Sequence, residues 1–365
     1  MRLQVEPNTI LAWESGTSRP PLSKLEALSE AYRRPLAVFL LPHPPKEPPQ
    51  LADFRSTNGP NGPGAFSEET VLAIRRARRS QALALRLAHE LDTHPDAHLP
   101  RVSDTEDPEE VAKRVAGFLG AYANNDPPRL GGEYQALNHW RQLLEGVNIL
   151  VLQFPMPISD ARGFSLPGSR FPVVVLNQRD PPRPRIFTLF HELGHLLLRS
   201  DGVCDLTEGS VSPSDGSIER FCNHFAGAFL VPKGTLVAAT PWLQPATEPD
   251  RDDIQNLTSR FNVSEEVVLR RMLICGLIGQ KEHDRLVSFR RSARRSAKAR
   301  ESTAKIKRNL PIERRSQYGS RFVSMVIDGH RAERLSLSEV SSALDLRIRH
   351  FQSLSKLLAE GPTGV

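Results

Sequence analysis

Arg185-Ile186-Phe187-Thr188-Leu189-Phe190-His191-Glu192-Leu193-Gly194-His195-Leu196-Leu197-Leu198 is an apolar stretch of helical length, broken by two histidines and one glutamate. On a helix, residues four apart share a face, so His191 and His195 present their rings to one point. Two imidazoles at that spacing suit a zinc ion. Glu192, next to the first ring, lies beside such an ion, where a carboxylate can take the proton of a bound water and pass it to a leaving amine. Burying two histidines and a glutamate in so apolar a helix is costly unless they have a function. The stretch therefore predicts a helical metal centre, with His191 and His195 as ligands and Glu192 as the catalytic base.

Catalytic zinc usually takes three protein ligands and leaves a fourth place for water. Ile218-Glu219-Arg220-Phe221-Cys222-Asn223-His224-Phe225-Ala226 reads as a later helix able to supply the third. Glu219 is the preferred ligand, set against its alternative reading as a solvated helix charge. His224 follows five residues on, about 500° round the helix, and so faces away by some 140°. It ranks below Glu219. Asp201 and Asp205 are weaker candidates, read as loop residues.

These features, taken in order, resemble the ImmA/IrrE metallopeptidases from about Asp53 to Leu277. The likeness rests on Asp53-Phe54-Arg55, the Phe171-to-Asn177 strand, the His191-Glu192-x-x-His195 motif and Glu219-x-x-x-Asn223-x-Phe225-Ala226 running into Leu230-Val231-Pro232. It extends through Leu257, Val263-Ser264, Leu269, Met272 and Leu277. The resemblance implies a thermolysin-like zincin fold with His191, His195 and Glu219 as zinc ligands, manganese being the alternative ion, and Glu192 as base. It also implies cleavage of a partner helix-turn-helix repressor, with relief of repression in a stress or mobile-element response. The alternative function is a DNA-binding transcription regulator whose peptidase-like domain senses without cutting. An intact Glu192 favours the peptidase, because a binding-only site needs no base.

A length of 365 residues suits two or three domains, and 39% hydrophobic residues support at least one sizeable core. The N-terminus lacks the apolar run of a signal peptide, and no apolar tract is long enough to span a bilayer. Three distant cysteines, Cys204, Cys222 and Cys275, indicate buried free thiols. A cytoplasmic protein without membrane partners is expected.

The expected class is α+β, predominantly helical, with a small sheet in the peptidase domain. Residues 1–41 read as a partial Xre/Cro-type helix-turn-helix. Residues 42–66 read as a linker, Pro42 to Gly64 holding seven prolines and three glycines. The peptidase domain is expected over 67–280, a basic linker over 281–316 and a C-terminal helical region over 317–365. Helix starts are marked at Ser67 and at Asp107-Pro108, and a helix is expected from Gly132 to Gly146. Strand-like runs span Val147 to Phe154 and Phe171 to Asn177, with turns between them. The second run reads equally as an edge strand that aligns an extended peptide or as a buried core strand. Further helices are expected at about 217–231 and 251–277.

The net charge of +6 is uneven. Lys281 to Arg315 holds thirteen Lys and Arg against four Asp and Glu, an excess of nine that leaves the rest about three negative. The run has one aromatic, Phe289, so phosphate contact or plain solvation fits it better than base stacking. At the other end, Val5 to Pro20 resembles the second half of an Xre/Cro-type domain, with the helix through Trp13 as its recognition helix. The first helix and most of the second have no counterpart before Val5, and Glu6, Pro7 and Ala12 read bases poorly. Asn8, Thr9 and Arg19 are the DNA-contact candidates, and only weak DNA contact is expected. Leu335 to Phe351 reads as two short helices and a turn suited to docking.

Overall fold

The computed structural model describes residues 5–32, 36–41, 43, 66–93, 97–123, 126–199, 215–241, 249–297 and 309–359. The linker is thus described only at residues 43 and 66. Asp53-Phe54-Arg55, Asp201, Asp205, Cys204 and Trp242 lie outside the described residues, as does 298–308 of the basic run. Two compact units are distinguished, Met1–Ala52 and Asp53–Val365.

In the first unit, α1 (Pro7–Glu14) starts with a proline in its first turn, where a missing N–H costs nothing. It is followed by α2 (Leu22–Tyr32) and a 3-10 turn over Leu36–Leu40. No side chain of α1 is buried.

The second unit begins with α3 (Glu68–Glu90) and α4 (Pro108–Leu119), capped by the side chains of Ser67 and Asp107 as their sequences predict. The apolar stripe of α4 buries Val111, Val115 and Leu119, but Phe118 is 44% exposed. Next come α5 (Glu133–Gly146), β1 (Leu150–Phe154), β2 (Gly163–Leu166) and β3 (Val173–Asn177). The helix of the histidine motif is α6 (Pro182–Arg199), and α7 (Asp215–Leu230) carries Glu219. There follow α8 (Lys233–Ala239), α9 (Arg251–Phe261), α10 (Glu265–Ile274) and α11 (Gln280–Ala297). The chain continues with α12 (Leu310–Tyr318), α13 (Ser320–Arg331), α14 (Leu337–Leu344) and α15 (Phe351–Ala359).

The sheet order is β1-β3-β2, with β1 parallel and β2 antiparallel to β3. Every residue of the three strands is buried, as expected when helices cover both faces. On one face Val151, Val174 and Leu176 share a core with Leu189, Phe190 and Leu193 of α6. On the other, Phe154 meets Tyr318 of α12 edge-on at 5.5 Å, and α3 packs across β1 and β3. The C-terminal helices therefore lie in the same compact unit as the sheet. Their polar seam is buried: Arg141 donates to the carbonyls of Val151 (3.0 Å) and Ser316 (2.8 Å), and Gln153 donates to Ser316 at 2.9 Å.

Of the two readings open for the Phe171-to-Asn177 run, the core strand holds: it is the central strand, and its unbroken Val-Val-Val-Leu run is the pattern of a strand covered on both faces. Other expectations are corrected. The edge on the α6 side is β2, whose Gly163-Phe-Ser-Leu lacks the β-branched signal of a strand. The single helix expected over 251–277 is two, separated at Asn262, which adopts a left-handed φ of 52°. Finally, the stretch read as a basic linker, 281–316, holds α11 to Ala297 and the first turns of α12.

Candidate metal centre

Six of the eight apolar side chains of α6 apart from its prolines, Ile186, Leu189, Phe190, Leu193, Leu196 and Leu197, are buried between the sheet, α5 and α7. Phe190 stacks on Phe229 of α7 with ring centroids 4.1 Å apart, and Trp140 of α5 meets both edge-on. This packing fixes the rotation of α6, so His191 and His195 both turn toward α7. The glycine of the motif sets how close α7 comes. A Cβ on Gly194 would sit 3.1 Å from Cys222 Sγ and 3.3 Å from Cys222 Cα. Glu219 lies three residues before Cys222, on the same stripe of α7.

The outcome is a three-point cluster. The Nε2 atoms of His191 and His195 are 3.1 Å apart. Glu219 reaches them with Oε2 at 3.4 Å from His191 and Oε1 at 3.3 Å from His195. Ligands about 2.0–2.1 Å from a tetrahedral ion stand about 3.3 Å from one another, so these separations fit a zinc tripod. Among the described residues, this is the group whose metal-type donor atoms converge within 4.8 Å. The His191 Nδ1 is buried with no hydrogen-bond partner among the described residues.

Electrostatics point the same way. Burial opposes a charge on Glu219, but hydrogen bonds and charge from His191 and His195 hold its carboxyl far below the usual range. Burial opposes a charge on His195 too, yet hydrogen bonds with the Cys222 thiol and Glu219 outweigh it and push the ring up to about 10. A pocket that draws a proton so strongly between nitrogen and carboxylate offers the same donors to a cation, which displaces that proton. Burial pushes the Cys222 thiol up, so it stays a neutral neighbour.

Glu192 is buried, 5% exposed, one position from His191. β2 lies beside it: a Cβ on Gly163 would be 3.8 Å from Glu192 Cγ and only 2.5 Å from Thr188 Cγ2. Gly163 thus lets α6 and β2 approach at the level of the motif. The turn into β2 is held by Asn177, whose amide donates to the carbonyls of Met156 (3.0 Å) and Ala161 (2.8 Å) and accepts from Met156 N.

His224 takes no part in the cluster. Its Nε2 lies 2.8 Å from Glu109 Oε1 of α4, as the helical geometry of α7 requires. Glu109 also receives the buried Arg271 of α10 through both carboxylate oxygens, and Arg271 Nε donates to Val231 O at 3.0 Å. Burial raises the Glu109 carboxyl, but His224 and Arg271 more than reverse this and hold it at about 2. In the first unit, Asn8 and Arg19 are exposed and Thr9 is half-buried. Sequence reasoning missed Gly163, Cys222 and Asn177, all of which act through approach distances and backbone bonds that no spacing rule encodes.

Residues 144–273, from the end of α5 to α10, match the family model described as the IrrE N-terminal-like domain of the M78 peptidases. That span contains His191, Glu192, His195 and Glu219 and is narrower than the likeness drawn from sequence. Among solved structures, a Mycobacterium tuberculosis transcriptional regulator is 24% identical, with a TM-score of 0.32. The match covers 46% of this chain and 46% of that one, so under half of that protein is represented. No curated protein matches the sequence. No described helix is long and apolar enough to cross a membrane.

Proposed function

We propose that the chain is a zinc-dependent endopeptidase whose substrate is a helix-turn-helix repressor protein. The observation that carries this reading is the convergence of His191, His195 and Glu219 at tetrahedral ligand spacing, with the buried Glu192, next to His191 in the chain, acting electrostatically on His195. When bound there, zinc would supply Lewis acidity, polarising the scissile carbonyl and lowering the pKa of a water. Manganese is the alternative ion. Glu192 takes the water proton and delivers it to the leaving amine, a role that needs an ionisable oxygen and not merely a polar one. The surrounding apolar helices keep bulk water from competing for that proton. β2, the edge strand beside Glu192, aligns the extended substrate by main-chain pairing, the task first considered for the Phe171-to-Asn177 strand. Asn8, Thr9 and Arg19 of the first unit add weak DNA contact near the repressor's operator.

The test is to incubate the zinc-loaded protein with helix-turn-helix repressors of the same genome and follow fragments by mass spectrometry. Glu192→Gln should retain zinc and the melting temperature of the parent while producing no fragments. Cleavage by that variant at the parental rate would remove Glu192 as the base and overturn the mechanism.

A further inference from the structure

The segment from Leu335 to Phe351 has no part in the metal centre, yet its construction is specific. α14 opens on a complete capping box of Ser336 and Glu339 and ends at Asp345, whose φ of 49° lies in the left-handed region. Leu346 then turns inward and is buried, and the extended Arg347 leads through a 3-10 turn, Ile348–His350, into α15. Val340, Leu344, Leu346 and Leu354 are buried where α13 packs against both α14 and α15. His330 of α13 meets Phe351 edge-on at 5.1 Å. Two short helices joined by a tight turn and braced by a third is the arrangement that presents the second helix of the pair to a DNA groove.

Charge separates this unit from a merely structural turn. The carboxylates of α14 and the turn after it are occupied from the other side: Glu339 pairs with Arg86 of α3 at 3.4 Å, and Asp345 with Arg76 at 3.4 Å and Arg314 at 3.0 Å, while Asp328 of α13 pairs with Arg331. Arg347, Arg349 and Lys356 are exposed and make no ion pair among the described residues. Gln352 and Ser353, which can hydrogen-bond base edges, are exposed between them. The turn between α9 and α10 is built alike, with a left-handed Asn262 and a Ser264 cap, but its second helix opens on Glu265 and Glu266, which repel phosphate. We infer that α13, α14 and α15 form a helix-turn-helix unit that docks on duplex DNA through the start of α15. This interface is distinct from the partial domain at residues 1–41 and does not depend on the peptidase reading.

The magnitude follows from counterion release. Each phosphate contact contributes about −0.9 to the slope of log affinity against log salt, so three cations contribute roughly −2.7 and a threefold rise in salt weakens binding about 20-fold through them alone. The experiment is fluorescence anisotropy of the full chain on a mixed-sequence duplex of about 25 base pairs between about 50 and 150 mM salt. The Arg347→Ala, Arg349→Ala, Lys356→Ala variant should melt with the parent, bind about tenfold or more weakly at low salt, and lose about 2–3 from the slope. Arg347→Lys with Arg349→Lys should keep most of that slope, and Arg19→Ala should leave the difference intact. A triple variant that binds like the parent overturns the inference, as does a lysine pair that behaves like the alanines. A parent indifferent to duplex DNA overturns it too and leaves the face to an acidic protein.

Discussion

Gly194→Ala separates the stability of the fold from the geometry of the metal centre. The added methyl would stand 3.1 Å from Cys222 Sγ and 3.3 Å from both Cys222 Cα and Cβ. Carbon contacts relax to about 3.5–4.0 Å, so α7 must move out by roughly 0.2–0.7 Å at Cys222. Overpacking of this kind costs about 1–3 kcal/mol, while replacing a mid-helix glycine by alanine returns about 1 kcal/mol of helix propensity. The net loss of stability is therefore about 0–2 kcal/mol, a small fall in melting temperature. The metal centre has less tolerance, because ligand distances are held within about 0.2 Å and Glu219 rides on the same turn of α7 as Cys222. Zinc affinity should drop about 10–100-fold, the range seen when the surroundings of a metal ligand are disturbed. Chelator competition would measure the affinity and thermal denaturation of the metal-free protein the stability. Unchanged affinity would show that Gly194 does not set the approach of α7, and a collapse of the metal-free fold would show that the contact is structural alone.

Arg271→Met removes the buried guanidinium and leaves the half-buried Glu109 with His224 as its cationic partner, so urea denaturation should show a loss of about 1–3 kcal/mol; an unchanged stability would contradict the fastening of α4, α7 and α10 by this group. Because the Glu109 carboxyl is held at about 2 in the fold, its stabilisation is complete above its unfolded pKa of about 4.3. That contribution is lost as pH falls toward 2, so Glu109→Gln should flatten the acid limb of a stability–pH profile. Asn177→Ala strands the carbonyls of Met156 and Ala161 and the N–H of Met156, a cost of about 1–3 kcal/mol for each group that finds no water; hydrogen exchange should speed up in β2 before it does in β1. Deleting residues 1–45 should leave zinc content and melting temperature in place and slow cleavage of an intact repressor, since the second unit holds the whole metal centre; a truncated protein that unfolds would contradict this.

The convergence of His191, His195 and Glu219 was legible in sequence because helical geometry is periodic. His191, His195 and Glu219 lie on stretches whose apolar residues announce where the helices face, and the same periodicity turned His224 away to Glu109. Caps at Ser67 and Asp107 were equally plain, being decided by one side chain and its nearest N–H groups. β2 was not legible: four residues beginning with glycine carry no alternation, and they form a strand because β3 and α6 hold them. Nor did composition tell that Lys281 to Ala297 is helical, or that the C-terminal helices share the sheet's core through Arg141, Gln153 and Ser316. Those contacts join residues more than a hundred positions apart.

The central claim is that His191, His195 and Glu219 bind one metal ion per chain, and a zinc titration of the metal-stripped protein tests it most directly. The protein should take up one equivalent of zinc and release protons as it does so. His191→Ala and Glu219→Ala should each lower the affinity by orders of magnitude without unfolding the chain. An isotherm that is the same for the parent and His191→Ala would contradict the claim.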